Sequence, residues 1–434
     1  MSEMRAMLGK TPAKDRDELY GRVSRRLLPL LLFCYVCSYL DRVNVGFAKL
    51  QMLSELKFSE TVYGLGAGIF FLGYVLFEIP SNLVMIRVGA RFWIGRIMVT
   101  WGVTSAAMMF VSSPALFYVL RFLLGAAEAG FIPAVLYYLS TWFPADRRGK
   151  ATALFLSGIP LSGLLGGPIS GWILKGLNGA GGLSGWQWMF LLEALPAVIG
   201  GLACFFLLDD NAAGATWLDE DEKAIITADL AREERDKALH SLRDGLLSSK
   251  VWYLSALYMA FTMGLYAISF WLPSIIANSG VKDPLAVGLL TAIPYAVALP
   301  TMYLVGLSSD RRRERRFHLA LPAFAGAAGL LFSIMFAHDT AYTMVVLTVA
   351  TAGILTCIPQ FYTLPPAIMG GAAAAMGFAV ANSVGSIAGF VSPYLIGYVK
   401  DLTGSTNYGV LVIGLCLLLG GALVFAVPAR LVNK

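Results

Sequence analysis

The chain has 434 residues, 57% hydrophobic and only 14% charged, whereas soluble domains carry about a quarter charged residues. That imbalance excludes a mainly water-soluble protein, and the net charge of +6 does not indicate nucleic-acid binding, because the basic residues fall in the connections between apolar runs. The five cysteines all sit inside apolar runs and the three histidines are scattered, so a disulfide framework, a zinc site and a histidine relay are all disfavoured.

Met1 to Arg26 is polar and mixed in charge, with no cleavable apolar core. Apolar windows of spanning length then follow near 26–49, 62–86, 92–112, 115–139, 149–174 and 186–208. A hydrophilic stretch at 209–249 interrupts them, and six more follow near 250–277, 285–307, 317–337, 340–363, 372–398 and 407–430. The expected fold is an all-α membrane protein of about twelve transmembrane helices, in two six-helix bundles at 1–208 and 250–434 joined by a linker loop. Lys and Arg concentrate at the N-terminus and in alternate connections, including Arg147, Arg148, Lys150 and the run from Arg311 to Arg316. By the positive-inside rule both termini are expected in the cytoplasm.

Within the linker, Thr216 and Asp219 have capping-box spacing, so a surface helix with a solvated charged face is expected there. Small residues four apart, as in Gly163, Gly167 and Gly171 and again Gly385 and Gly389, suit close helix crossings. Gly9, Lys10 and Thr11 lack the leading glycine of a phosphate loop, which would fall at Met4. With no nucleotide site and no other cofactor expected, uphill movement of a solute would draw on an ion gradient.

Ionisable residues inside a membrane cost about 2.5–3.5 kcal/mol each at the bilayer centre and mark a pathway, a relay or a structural pair. The spans hold Asp41, Arg42, Glu78, Arg121, Glu128 and Glu193, all in the first half. Arg121 and Glu128 lie seven residues apart, on one helix face with about 10 Å of rise between them. Asp41 and Arg42 are adjacent and diverge by about 100°. One economical arrangement is a central network balancing Arg42 and Arg121 against Asp41 and Glu128; the alternative is ion pairs that only hold helices in register. Glu78 and Glu193 suit anchoring. The second half offers Tyr258, Tyr266, Trp271, Gln360, Tyr362 and Asn382.

The stretches SYLDRVNVGFA, GYVLFEIPSNLVMIRVGARFWIGRIMVTWG, YVLRFLLGAAEAGFIPAVLYYLSTWFPADRRGKA and GLSSDRRRERR together resemble the anion:cation symporter branch of the major facilitator superfamily. The resemblance extends over essentially the whole chain and is nearest to the bacterial tartrate and phthalate carriers. It implies a two-bundle helical transporter, most simply a monomer in the bacterial inner membrane, taking up a small organic anion together with protons. By motif, Arg42 and Arg121 would bind the anion, and Asp41 and Glu128 would carry the coupling protons. Tyr39, Tyr74, Tyr266 and Asn382 would complete the substrate contacts. Ile159 stands where sugar-acid relatives have a glutamine, which makes a sugar acid a weaker expectation. The G-x3-D-R-x-G gating loop is altered at Asn82 and Ile86 before Arg87 and Gly89, while its second copy keeps Gly306, Asp310 and Arg311. A compact dicarboxylate such as tartrate, an aromatic acid, and an uncoupled facilitator or exchanger all stay open; an enzyme is not expected.

Overall fold

The computed structural model describes residues 13–235, 248–335, 338–369 and 371–433, and all the elements among them are helical. Gly9, Lys10, Thr11 and His240 lie outside the described residues. In hydrocarbon every backbone N–H and C=O must be satisfied within the segment, which leaves helices as the available solution for these apolar runs. The first half comprises α1 (Ala13–Val43), α2 (Val45–Leu56), α3 (Glu60–Val88), α4 (Ala90–Ala107), α5 (Pro114–Glu128), α6 (Phe131–Ser140), α7 (Ala145–Leu156), α8 (Gly158–Gly176) and α9 (Gly185–Leu207). The linker contributes α10 (Glu220–Arg235). The second half comprises α11 (Ser249–Asn278), α12 (Pro284–Arg312), α13 (Arg316–Ser333), α14 (Thr340–Phe361), α15 (Leu364–Ile368), α16 (Gly371–Thr403) and α17 (Asn407–Leu423).

Side chains supplied just before the helices fix several starts. Ser59 accepts from the Val62 N–H at 3.2 Å, Ser113 from Leu116 at 3.3 Å and Asp339 from Tyr342 at 3.0 Å, each satisfying a donor that the first turn leaves free. Among the described residues eleven spans, some joining two consecutive helices, are long and apolar enough to cross a membrane. The third expected span forms α4, which carries Arg91 and Arg96 and is not among the eleven; it packs along α9. Leu76, Ile79, Phe206 and Leu419 are among the many large apolar side chains left exposed, as expected of a surface facing lipid.

The two halves meet chiefly along two helix pairs, α3 against α16 and α8 against α12, with α2 also touching α11. At the second crossing Gly167 and Gly288 bring the backbones together, each occupying space that a Cβ on the other would need. The span expected at 115–139 is broken: Ala129 is extended and Gly130 left-handed at φ 87°. A Cβ at Gly130 would lie 2.5 Å from the Ser81 Oγ, so both its φ and its neighbour require glycine.

The linker differs from expectation in two ways. Its helix starts one turn later than Thr216 implies, because Asp219 is the capping residue: Asp219 accepts from the Glu222 N–H at 2.8 Å, and Glu222 accepts from the Asp219 N–H at 3.2 Å. Its charged face is docked against the first half rather than simply solvated. Asp229 accepts from Arg16 at 2.9 Å and from the Tyr20 hydroxyl at 3.1 Å, Glu222 pairs with Arg22, and Trp217 stacks on Trp142 with ring centroids 5.7 Å apart. Arg16, Tyr20 and Arg22 belong to an extension of α1 reaching back to Ala13, well before the apolar window that begins at residue 26, and Trp142 follows α6.

Candidate functional site

A cavity of about 860 Å³ lies between the two halves. The first half lines it with Tyr35, Tyr39 and Arg42 of α1, Phe71 and Tyr74 of α3, and Ile159 and Pro160 of α8. The second half supplies Tyr258 and Tyr266 of α11, Gln360 of α14, Tyr362 just beyond it, and Asn382 and Ser386 of α16. The lining continues to Gly149, Lys150, Gly306 and Asp310, at the ends of α7 and α12 that adjoin the basic connections. The cavity therefore reaches the side of the molecule that carries those connections.

At the opposite end the halves are fastened together. Glu60 pairs with Lys49 of its own half at 2.6 Å and with Lys400 of the other. Asp401 of α16 accepts from the Glu60 and Thr61 N–H groups at the start of α3, at 3.2 and 2.7 Å. Lys49 is buried, with its ammonium 3.4 Å from the Trp271 ring centroid. The Tyr63 hydroxyl donates to the Phe270 carbonyl at 2.7 Å, and Tyr39 and Ser269 hydroxyls lie 2.7 Å apart. Nearer the surface, Lys175 pairs with Asp283 at 2.8 Å and holds that carboxyl below its ordinary range. Sequence reasoning missed this ionic cluster: Lys49 falls at the very end of the first apolar window, and Lys400 reads as a loop residue.

Within the cavity wall, Arg42 forms a buried ion pair with Glu128, whose Oε1 also accepts from the Ser38 hydroxyl at 2.7 Å. The break after Glu128 ends α5 there, and Ser38 lies one helical turn before Arg42, so both reach the same carboxylate. The guanidinium carbon of Arg42 lies 5.4 Å from the Tyr74 ring centroid, 5.3 Å from Phe70 and 5.9 Å from Tyr39. Aromatic faces and one carboxylate thus surround a positive group that still borders open space. Asn382 donates to the Glu78 carboxylate at 3.1 Å, joining α16 to α3 beside the cavity.

The expected four-membered network is not what the residues form. Asp41 turns away from the cavity to α4, accepting from the Trp101 indole N–H at 2.7 Å and the Ser105 hydroxyl at 3.0 Å. Arg121 is fully buried and donates to main-chain carbonyls, to Gly66 at 3.1 Å and more loosely to Ala67 at 3.4 Å and Arg42 at 3.5 Å. Its Nη1 has no hydrogen-bond partner. The physical reason is competition: the Ala67 and Gly66 carbonyls lie within reach of α5, and Trp101 and Ser105 offer Asp41 two donors on its own side of α1. Of the second-half candidates, Tyr258, Tyr266, Gln360, Tyr362 and Asn382 face the cavity, whereas Trp271 packs under Lys49. Glu193 accepts from Ser170 at 2.6 Å inside the first half.

The gating candidates are separated. Gly306 and Asp310 line the cavity mouth, and Asp310 pairs with Arg315 at 2.5 Å. Arg87 and Arg311 are exposed. Gly89 has φ 92°, and a Cβ there would lie 2.7 Å from the Asp210 carboxylate that accepts from the Arg91 N–H. No group of three or more His, Cys, Asp or Glu able to hold a metal occurs among the described residues.

Comparison with known proteins agrees with this architecture. A metabolite transport protein by name, NicT of Pseudomonas putida, is 51% identical over 418 residues, covering 96% of each chain. A protein of Agrobacterium vitis named for tartrate transport is 44% identical over 413 residues, covering 94% of this chain and 91% of that one. The solved structure of a bacterial homologue of the human lysosomal transporter Spinster, in an inward-facing and unoccupied conformation, superposes with a TM-score of 0.77 at 15% identity, covering 94% of this chain and 97% of that one; it bears on the fold alone. The Major Facilitator Superfamily profile matches residues 31–393, and the chain belongs to that superfamily of multi-pass membrane transporters.

Proposed function

We propose that the chain carries a small organic anion, a mono- or dicarboxylate such as tartrate, into the cell together with protons, by alternating access of the cavity between its halves. The observation that carries this proposal is Arg42: a guanidinium on the cavity wall whose counter-ion, Glu128, is a group able to take up a proton. When Glu128 is protonated the ion pair is lost, and Arg42 can accept a substrate carboxylate bidentately. When the proton leaves, Glu128 competes with the substrate for the same guanidinium. Proton entry and anion binding are linked through one shared partner. Asp41, held by Trp101 and Ser105 beside Arg42 in the chain, is a second protonatable carboxyl outside the cavity. The A. vitis relative's name supports the carboxylate class.

In this mechanism the fastened end faces outward and the cavity opens to the cytoplasm, where both termini lie, in a bacterial inner membrane and as a monomer. The proton gradient is the energy source. Gly306, Asp310 and Arg311 in the last turns of α12, with Arg87 and Gly89 at the end of α3, form the inner gate, and Arg121 supports the site through the main chain of α1 and α3.

The test is uptake into proteoliposomes with a pH reporter. Glu128→Gln is expected to abolish uptake driven by a pH gradient while sparing exchange of labelled for unlabelled substrate. Substrate entry with no accompanying proton movement in the unaltered chain would instead establish a facilitator or exchanger. A second substrate class is favoured by a specific feature of the wall, where Phe71, Tyr258, Tyr266 and Tyr362 face an apolar Ile159. That lining suits an aromatic acid of the phthalate or hydroxyphenylacetate kind. Thermal stabilisation by tartrate or by such an acid, lost in Arg42→Ala, separates the two.

A further inference from the structure

A second cavity, of about 480 Å³, lies away from the transport pathway. Its walls include Val297 and Thr301 of α12 and Phe317 and Leu321 of α13, and its floor is Val349 and Gly353 of α14. Although α12 and α13 are joined by a short turn, they diverge from it, α12 packing on α8 and α14 and α13 on α14 and α17, which leaves an apolar cleft between them. Val297, Phe317, Leu321 and Val349 are all exposed, so the cleft opens sideways toward the bilayer. Arg312 stands at its lip.

The dimensions and charge of this cleft identify what fills it. From Val297 to Arg312 α12 rises about 22 Å, close to half the bilayer thickness of about 40–45 Å including headgroups. The apolar length thus ends at the midplane as the arginine reaches headgroup depth. Arg312 is exposed and makes no ion pair or hydrogen bond among the described residues. Nearby charges are already engaged: Arg315 pairs with Asp310, and Arg316 donates to the Phe425 carbonyl. Glu314 accepts from the Phe317 and His318 N–H groups and lies 2.8 Å from the His318 Nδ1, while the His318 Nε2 lies 2.9 Å from the Ser308 hydroxyl. The lip therefore carries uncompensated positive charge from Arg312 and its exposed neighbours Arg311 and Arg313.

We infer that the cleft between α12 and α13 is a binding site for an anionic glycerophospholipid, one acyl chain lying on α14 and the phosphate resting on Arg312. A basic lip above an apolar seam between transmembrane helices recognises both parts of such a molecule. The site depends on membrane embedding and is independent of the transported substrate.

The test uses the full purified chain, with native mass spectrometry and melting temperature read after adding phosphatidylglycerol or phosphatidylcholine of identical acyl chains. Phosphatidylglycerol is expected to be retained preferentially and to raise the melting temperature. Arg312→Ala should weaken its apparent affinity about fivefold, the effect of one cationic side chain near an anionic headgroup, and leave phosphatidylcholine unchanged. Thr348 of α14 also lines the cleft, and Thr348→Trp, which fills it without altering charge, should reduce phosphatidylglycerol retention while the lipid-free melting temperature stays within a degree or two. Equal retention of the two lipids, undiminished retention by Arg312→Ala, loss in Arg312→Ala but not in Thr348→Trp, or full competition by glycerol phosphate alone would each overturn the assignment.

Discussion

Arg42 and Arg121 illustrate how two arginines of one half-bundle acquire different tasks. Arg121 donates into main-chain carbonyls of α1 and α3 and is sealed from the cavity, while Arg42 keeps a carboxylate on one side and open space on the other. The presence of buried charge in these spans was legible, since charged residues at such depth are expensive and stand out in an apolar run. Which acid served which base was not, because side-chain direction depends on donors such as Trp101, Ser105 and Ser38 contributed by other turns and helices. Arg42→Ala would leave Glu128 buried without its partner, at a cost of about 3–5 kcal/mol. The single variant should melt well below the parent, and adding Glu128→Gln should restore most of the stability but none of the ligand-induced shift. Equal melting of the single variant and the parent would show that the pair contributes little to the fold.

At the scale of elements, apolar runs and their polar interruptions located most of the membrane helices within a few residues, but not the polar extension of α1 back to Ala13 or the internal breaks. The interruption after Glu128 was written in the residues Ala129-Gly130 and in Pro133 of the following turn, yet an uninterrupted apolar window conceals such a break. Gly130→Ala places a side chain at φ 87° and against Ser81; strain of this kind costs about 1–3 kcal/mol before the clash is counted. Lower expression and a lower melting temperature are expected, with Ser81→Ala giving partial recovery by making room. In the linker, the capping choice between Thr216 and Asp219 was ambiguous by spacing alone. Asp219→Ala should cost about 1 kcal/mol, read as faster amide exchange through the first turn of α10. The docking of α10 was illegible because its partners, Arg16, Tyr20 and Trp142, are supplied by distant segments whose charges look equally at home in water.

For the whole molecule, one long polar interruption separates two sets of apolar runs, and that interruption could be read from composition. The asymmetry of the interface could not: one end is held by Glu60, Lys49, Lys400 and Asp401 and the other stands open. Lys400→Ala should loosen the fastened end and raise labelling of a cysteine introduced at Ser269, which lies behind it; unchanged labelling would place the controlling contacts elsewhere. The Lys175–Asp283 pair is insensitive to mild acid. With its folded pKa depressed by Lys175, Asp283 adds its stabilising charge above the ordinary carboxylate value and loses it only as pH falls through the lower folded value. Transport that varies between about pH 5 and 8 would therefore be tracking other groups. Asp401 carries one more consequence, since it completes a helix belonging to the opposite half: any rearrangement that parts the two ends must leave the Glu60 and Thr61 amides without their acceptor. Deuterium uptake at those two positions would then count excursions to a form open at this end directly, a built-in clock for the proposed alternation that needs no attached probe.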